Sequence, residues 1–200
     1  MLARYGVWGI IYLTFCKIIS IFIFSNARLI RLPTDIRNKR YMKIGRGFTL
    51  GRNCRIEVES SHWKSGDEKI CLVIGQNVRI NDYCHITSGE SVVIEDDVLI
   101  ASRVYISDLS HGAYGRGAVH NSPLIPPNDR PFIAYPVHIQ RYVWLGEGVC
   151  VLPGVTIGEG TVVGANSVVS RSLPSYTIAV GIPAKVIKKF DFIINQWVDA

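Results

Sequence analysis

The feature that most constrains this chain is a six-residue period in its second half. From residue 139 to residue 169 an aliphatic side chain recurs at every sixth position without a slip. These aliphatic residues are Ile139, Leu145, Val151, Ile157, Val163 and Val169. The small or β-branched residues that stand two positions before the next aliphatic are Val143, Val149, Val155, Thr161 and Ser167. This period fits neither the turn of an amphipathic helix nor the simple alternation of a long strand.

The same frame extends upstream in three groups of hexads. The earlier aliphatic residues are Ile44, Leu50, Ile56, Ile74, Ile80, Ile86, Ile94, Ile100 and Ile106, which makes fifteen hexads in all. If each hexad is a short strand that ends in a turn, three hexads form one triangular coil, and the five resulting coils stack at about 4.8 Å. The aliphatic residues then point into a prism, and the residues between Ile56 and Ile74 bulge out of it. The sequence predicts an all-β chain of parallel strands over residues 41–189.

Composition agrees with a turn-rich β domain. The 200 residues include 18 Gly and 9 Pro, with 48% hydrophobic and 19% charged residues, which disfavours both disorder and a helical bundle. A net charge of +6 permits nucleic acid, anionic lipid or a phosphorylated small molecule as a partner, without choosing among them. The five cysteines form no C-x-x-C pair, so we expect neither a disulfide framework nor a zinc knuckle, and a reducing compartment.

Residues 1–40 are predicted to form a separate apolar and basic segment that is helical. Residues 5–24 are apolar over the length of a bilayer span, with Lys17 as the only charge, and basic residues follow from Arg28 to Arg40. Two interpretations stay open, namely a helix that packs on its own domain or on a neighbouring subunit, and a helix that contacts a membrane. By the positive-inside rule, the basic residues keep the downstream chain on the cytoplasmic side.

The stretch LPGVTIGEGTVVGANSVVSRSLPSYTIAVGIPAKVIKK (152–189) resembles the carboxy-terminal signature of the hexapeptide-repeat acyltransferases. The segments RYGVWG, SNARLIRLP, INDYCHI, LIASRVYISDLSHG and an SP…RP loop resemble the bacterial lipopolysaccharide and capsule O-acetyltransferases. The resemblance implies a left-handed parallel β-helix, acetyl-CoA as co-substrate, and a homotrimer with coenzyme A between neighbouring subunits. The general rule for crossover connections would give the opposite hand, so the left hand rests on the resemblance alone.

The repeat is interrupted between Ile106 and Ile139, by a loop (107–138) that holds five of the nine prolines. A connection of this length in a compact domain is usually functional or disordered. His111 lies near the start of this loop, and neutral histidine suits the removal of a proton from a hydroxyl. The resemblance implies that His111 is the general base and that Asn81 faces the acceptor across from it. Asp82 and Asp108 remain open as partners of the imidazole or of the sugar.

The resemblance also implies which residues contact coenzyme A. They are Trp144, Gly146, Glu147, Ala165, Ser170, Lys185 and Lys188. The two lysines suit the nucleotide phosphates, and the N–H of Gly146 is a candidate donor to the tetrahedral oxyanion. No metal is expected, because the gap from His111 to His120 does not match the spacing of zinc-dependent proteins of this fold.

Together these features predict an O-acetyltransferase that acts on a sugar hydroxyl of a lipopolysaccharide O-antigen, capsule or exopolysaccharide precursor. We expect it in the cytoplasm, peripheral to the inner membrane, without a nucleic-acid partner, and with residues 190–200 as a short tail. The alternatives are acetylation of a nucleotide-sugar amine or of a small-molecule alcohol, and a β-helix scaffold without catalysis.

Overall fold

The computed structural model describes residues 2–59, 69–114 and 120–200, and side chains from residue 5 onward. Most of the segment predicted to bulge between Ile56 and Ile74 therefore lies outside the described residues. The helix α1 spans Leu2–Ile23, and two short 3-10 turns span Lys39–Tyr41 and Pro127–Asp129. The strands are β1 (Leu29–Ile30), β2 (Asp35–Arg37), β3 (Met42–Ile44), β4 (Thr49–Leu50), β5 (Arg55–Val58), β6 (Leu72–Ile74), β7 (Arg79–Ile80), β8 (His85–Ser88), β9 (Val92–Ile94), β10 (Leu99–Ile100), β11 (Tyr105–Ser107), β12 (Leu109–His111), β13 (Phe132–Ala134), β14 (Val137–Ile139), β15 (Trp144–Leu145), β16 (Cys150–Val151), β17 (Thr156–Ile157), β18 (Val162–Val163), β19 (Val168–Val169), β20 (Thr177–Val180), β21 (Lys185–Asp191) and β22 (Gln196–Asp199).

The described strands form a three-sided prism, as the six-residue period predicts. Sheet one has the order β1-β4-β7-β10-β15-β18-β20-β21-β22, sheet two β19-β16-β11-β8-β5-β2, and sheet three β17-β14-β9-β6-β3. The chain visits the three sheets in turn, so strands that are neighbours in a sheet belong to successive coils and pair in parallel. The hairpin β12–β13 lies outside this pattern.

The core of the prism consists of the aliphatic residues of the hexads. In sheet one, Leu50, Ile80, Ile100 and Leu145 stack in register, and each is nearly or fully buried. Columns of the same kind fill sheets two and three. The corner residues predicted from the period are also buried, among them Val143, Val149, Val155, Thr161 and Ser167. The prediction of which residues point inward is confirmed.

The prism begins earlier than residue 41, which corrects the prediction that residues 1–40 are a helical segment. The helix ends at Ile23, and Ile30 and Ile36 stack on Leu50 and Ile56 as members of a first coil. The hexad frame misses this coil because the 3-10 turn Lys39–Tyr41 lengthens the step from Ile36 to Ile44 to eight residues.

The carboxy-terminal residues do not form a separate tail beyond residue 189. The strand β21 reverses direction and pairs antiparallel with β20, and β22 then pairs antiparallel with β21. This hairpin covers the edge strand of sheet one, whose unpaired backbone groups would otherwise be open to another chain.

The helix α1 lies against the first coil. The hydroxyl of Tyr12 donates to the carbonyl of Leu32 at 2.5 Å, and the backbone N–H of Ile30 donates to the hydroxyl of Ser20 at 2.7 Å. The opposite side of the helix is exposed, with Trp8 at 82% and Phe22 at 76% of full exposure. The segment Tyr5–Ile23 is long and apolar enough to cross a membrane by length and composition.

Candidate active site

His111 lies at the end of a β-hairpin that leaves the prism directly after sheet two. The strand β12 follows β11 after a single residue and pairs antiparallel with β13, with His111 opposite Phe132. The two rings have centroids 4.7 Å apart and planes inclined at 56°. The hairpin therefore holds the imidazole at an edge of the prism and packs one side of its ring.

The hydrogen bond of the imidazole determines which nitrogen is available for chemistry. Nδ1 of His111 lies 3.2 Å from the carbonyl oxygen of Pro127. Because a carbonyl only accepts, Nδ1 carries the proton of the neutral ring, and Nε2 keeps its lone pair. Among the described residues no group forms a hydrogen bond with Nε2. The geometry suits a general base, which needs a free lone pair and a ring fixed in one tautomer.

A second layer of contacts fixes the backbone at His111. The hydroxyl of Tyr114 donates to the carbonyl of His111 at 2.6 Å, and the guanidinium of Arg130 donates to that hydroxyl at 2.6 Å and to the carbonyl of Ile125 at 2.8 Å. Gly112 has a φ of 103°, and a Cβ at this position would lie 2.8 Å from the Tyr114 hydroxyl. Sequence reasoning assigned no role to Tyr114 or Arg130, although Arg130 belongs to the quoted SP…RP motif.

Asp108 does not orient the imidazole. Its carboxylate is fully buried and accepts the backbone N–H groups of Gly89 at 2.6 Å, Glu90 at 2.9 Å and Ser91 at 2.8 Å. Its own carbonyl accepts the N–H of Tyr135 at 2.8 Å, which ties the base of the loop together. Asp108 is thus a structural anchor below the hairpin.

Asp82 has partners of its own as well. Its carboxylate pairs with Arg31 at 2.5 Å and accepts the backbone N–H of Arg52 at 2.8 Å. Of the two carboxylates left open by the sequence, neither contacts His111 in this chain.

Asn81 and the residues expected to bind coenzyme A lie on a different part of the prism. Asn81 follows β7, Gly146 and Glu147 follow β15, and Ala165 lies two residues after β18, so these four positions stack at the corner between sheets one and two. Trp144 lies on β15 and is half exposed on the outside of sheet one.

The backbone N–H of Gly146 is not available to an oxyanion, which corrects that part of the sequence interpretation. It donates to the carbonyl of Val163 at 2.8 Å as part of the parallel ladder. A Cβ at Gly146 would lie 2.7 Å from the backbone nitrogen of Ala165, so glycine is required here by the close approach of the next coil.

The two lysines lie on the same side of β21. Lys185 pairs with Val180, and Lys188 pairs with Ile178. A bulge between these two pairs shifts the alternation of side chains by one residue, so both lysines lie on one face of the strand. Lys188 also lies 3.1 Å from the carboxylate of Asp199 in β22. Among the other residues expected to contact coenzyme A, Glu147 forms an ion pair with Arg103 at 2.6 Å.

The structure divides the expected site residues between two corners of the prism. Asn81, Glu147 and Ala165 lie at the corner between sheets one and two, whereas Ser170 and His111 follow strands of sheet two and lie toward the next corner. One side of the prism, a strand with its turn, separates these corners, and six residues at roughly 3.3 Å set an upper limit of about 20 Å on that separation. Acyl transfer needs reacting atoms within about 3.5 Å, and among the described residues no hydrogen bond or ion pair joins the two groups.

The cysteines nearest to Asn81 are packing residues. The thiol of Cys54 donates to the carbonyl of Asn81 at 3.0 Å, and the thiol of Cys84 donates to the carbonyl of Ala101 at 3.1 Å. The hydrogen bond with Cys54, together with burial, raises the pKa of the Cys84 thiol, which makes it a poor nucleophile. The same contact lowers the pKa of the Cys54 thiol, but Cys54 is buried at 1% exposure.

Comparison with known proteins identifies the class of this chain. The family described as bacterial transferase hexapeptide (six repeats) matches residues 136–171. WbbJ of Escherichia coli (strain K12), which is named as a lipopolysaccharide biosynthesis O-acetyl transferase, is 42% identical over 194 residues, covering 97% of this chain and 95% of that protein.

Two solved structures that are similar to this chain are also acyltransferases. AntD of Bacillus cereus, an N-acyltransferase in complex with dTDP and 3-hydroxybutyryl-CoA, has a TM-score of 0.66 at 26% identity and covers 84% of this chain and 82% of its own. A galactoside acetyltransferase in complex with coenzyme A has a TM-score of 0.54 at 27% identity, covering 76% of this chain and 66% of its own. The chain belongs to the hexapeptide-repeat transferases. Within that family it is an acetyltransferase, as the sequence predicted.

Proposed function

We propose that this enzyme transfers an acetyl group from acetyl-CoA to a sugar hydroxyl of a bacterial surface polysaccharide or of its precursor, such as an O-antigen, a capsule or an exopolysaccharide. The observation that carries this proposal is the imidazole of His111 at the prism edge, whose Nδ1 is fixed by Pro127 and whose Nε2 forms no hydrogen bond with the residues that the structure describes. The similarity to WbbJ, at 42% identity, supports a saccharide hydroxyl as acceptor.

The chemistry requires one base and one ternary complex. Nε2 of His111 takes the proton of the sugar hydroxyl while its oxygen attacks the acetyl carbonyl carbon, forming the C–O bond. Collapse of the tetrahedral intermediate breaks the C–S bond, and the imidazolium returns its proton to the departing thiolate. The products are the acetyl ester and free coenzyme A, and His111 is restored. Asn81 is proposed to bind the acceptor hydroxyl or a neighbouring one through its amide.

We further propose that the active site forms between subunits of a homotrimer of left-handed β-helices. The position of His111 and Asn81 at different corners of the prism supports this arrangement, since a second copy can bring the two corners together. In such a cleft, coenzyme A would lie along Trp144, Gly146, Glu147, Ala165 and Ser170. Lys185 and Lys188 would face its phosphates, and Asp199 would have to release Lys188.

The proposed location is the cytoplasmic surface of the inner membrane. The side of α1 that faces away from the prism is apolar and exposed, and basic residues follow the helix from Arg28 onward. We propose that α1 lies in the membrane interface rather than across it, because Cys16 and Ser20 are buried against the first coil. In this scheme, residues 1–23 attach the enzyme to the membrane and the prism with its loop carries the chemistry.

The test combines genetics with purified protein. Deletion of the gene should remove O-acetyl groups from the surface polysaccharide, as measured by NMR, and wild type should restore them while His111→Ala should not. His120→Ala is the matched control, because His120 is exposed in the same loop and has no proposed role. Full restoration by His111→Ala would show that the assigned base is wrong.

A second candidate function is transfer to the amine of a nucleotide sugar. The observation that favours it is the structural similarity, at a TM-score of 0.65, to an AntD variant in complex with dTDP-4-amino-4,6-dideoxyglucose and coenzyme A. Release of coenzyme A with that amino sugar, but not with de-O-acetylated polysaccharide, would favour this candidate. A protein that binds no coenzyme A in calorimetry would instead be a scaffold.

A further inference from the structure

A groove of about 790 Å³ lies between α1 and sheet one. Its helix side is largely apolar and includes Ile10, Leu13 and Ile18, and its prism side reaches Asn81 at the corner of the acceptor site. The groove therefore connects the membrane-facing helix with a residue proposed to hold the acceptor sugar.

The polar part of this groove is cationic. Lys17, Arg28 and Arg31 line it, and among the described lining residues there is no carboxylate. Arg28 also lines an adjacent cavity of about 400 Å³ together with Arg79 and with Asp97, whose carboxylate accepts a hydrogen bond from the side-chain amide of Asn77 at 3.1 Å. In the register of sheet one, Arg79 lies two strands from Leu29, which is about 9.6 Å.

These cations differ in what they already bind. Arg31 is paired with Asp82 at 2.5 Å, and Lys17 donates to the backbone carbonyl of Arg28 at 2.8 Å. Within the described ranges 5–59, 69–114 and 120–200, the guanidinium groups of Arg28 and Arg79 form no ion pair and no hydrogen bond. Two exposed guanidinium groups that are unpaired among the described residues lie next to an apolar wall and outnumber the one carboxylate of their cavity, Asp97, so they form a surface complementary to an anionic amphiphile.

We propose that this groove binds the phosphate-bearing end of a lipid carrier to which the acceptor sugar is attached. The isoprenoid or acyl part lies against Leu13 and its apolar neighbours, a phosphate or diphosphate lies between Arg28 and Arg79, and the first sugars extend to Asn81. This inference rests on the proposed acetyltransferase function and specifies its substrate as a lipid-linked saccharide. A guanidinium suits this task because it binds two phosphate oxygens at once.

The test measures binding without turnover. Farnesyl diphosphate, which combines a short isoprenoid with a diphosphate, is titrated into the full-length protein by calorimetry, with inorganic pyrophosphate and farnesol as separate head and tail probes. We expect farnesyl diphosphate to bind at least tenfold more tightly than either part. Arg28→Ala should weaken its binding at least tenfold, Arg28→Lys should weaken it less, and Leu13→Ser should weaken farnesyl diphosphate but not pyrophosphate.

A control variant tests whether the loss of affinity depends on the position of the charge. Lys43→Ala removes one exposed positive charge from the same first coil but on sheet three, so it should leave the affinity unchanged. Equal loss with Lys43→Ala would reduce the effect to net charge and overturn the proposal. Competition by coenzyme A would assign the arginines to the donor site, and a tenfold loss of binding to phosphatidylcholine vesicles containing 20 mol% phosphatidylglycerol in Arg28→Ala would assign them to an ordinary headgroup. Both results would also overturn it. Because no acetyl transfer is measured, these outcomes are independent of the proposed catalytic activity.

Discussion

Asp108 provides the sharpest test of how the prism supports the loop that carries His111. Its fully buried carboxylate accepts three backbone N–H groups, from Gly89, Glu90 and Ser91, within 2.6 to 2.9 Å. Those residues form the turn that lengthens the step from Ile86 to Ile94, where the hexad frame shifts by two residues. The carboxylate therefore stabilises the turn that lies under the departure point of the hairpin of His111.

The magnitude follows from the number of donors. Asp108→Ala leaves three backbone N–H groups without an acceptor. The hydrogen bond from Gly89 is buried, and those from Glu90 and Ser91 are partly buried. Each unsatisfied N–H group costs about 1 to 3 kcal/mol of stability. Water can reach part of the opened space, so we expect a loss of about 4 kcal/mol in the free energy of unfolding. Asp108→Asn keeps the shape but turns an NH₂ group toward at least one of the N–H donors, and we expect a loss of about 2 kcal/mol.

The assay is chemical denaturation followed by intrinsic fluorescence, with Asp129→Ala, an exposed carboxylate in the same loop, as the control. Asp108→Asn should retain a measurable acetyl transfer rate at low temperature, because Asp108 does not contact the imidazole. If Asp108→Ala stays within 1 kcal/mol of wild type, the hydrogen bonds described here do not hold the turn. If Asp108→Asn is as stable as wild type but inactive, Asp108 acts in catalysis and its structural assignment is wrong.

Three further predictions follow from other parts of the chain. Arg130→Ala removes the donor to the Tyr114 hydroxyl, and we expect kcat to fall about tenfold with unchanged coenzyme A affinity in calorimetry. Ile100→Ala opens a cavity in the middle of sheet one and should cost about 3 kcal/mol in denaturation, whereas a cost below 1 kcal/mol would contradict the stacked core. Burial acts to raise the pKa of Glu57, but hydrogen bonds from His85, Arg55 and Thr87 outweigh it and lower that pKa. The stabilisation by this carboxylate is therefore complete above the ordinary glutamate pKa of about 4.3 and is lost as the pH falls through the lowered value. The loss of unfolding free energy in Glu57→Gln, about 2 kcal/mol, should be largest at neutral pH and shrink below about pH 4.

The sequence predicted the inside of the prism well, because a strand in a flat-sided coil repeats its environment every six residues. Ile100 is buried for the same reason as Ile80 and Leu145, which lie on either side of it in register. The six-residue period did not predict the first coil, because the step from Ile36 to Ile44 contains a 3-10 turn that no periodic pattern describes. A periodic pattern predicts strands only where the same number of residues separates one strand from the next.

The site residues were assigned by resemblance rather than by physical reasoning, and their roles stay predictions. The position of His111 in SDLSHG indicated it as the base, and its Nε2, which has no hydrogen-bond partner in the described part of the chain, is compatible with that role. The hairpin that carries it could not be read from the sequence, because residues 107–138 have no period and their order depends on single contacts such as Arg130 with Tyr114. Asp108 gave no sequence signal either, since its partners are backbone N–H groups, which every residue type except proline possesses.

The two ends of the prism show that α1 has a structural role. In a stacked repeat the terminal coils have no neighbour on one side, so their backbone groups need another partner. At the carboxy-terminal end the hairpin β21–β22 supplies it, and at the other end α1 does, through Ser20 to the N–H of Ile30, Cys16 to the N–H of Leu32, and Tyr12 to the carbonyl of Leu32. The inner side of the helix, with Cys16 and Ser20, is therefore committed to the first coil, whereas Trp8 and Phe22 on the opposite side are exposed. A change at Cys16 or Ser20 should lower the stability of the prism, whereas a change at Trp8 or Phe22 should leave it unaltered.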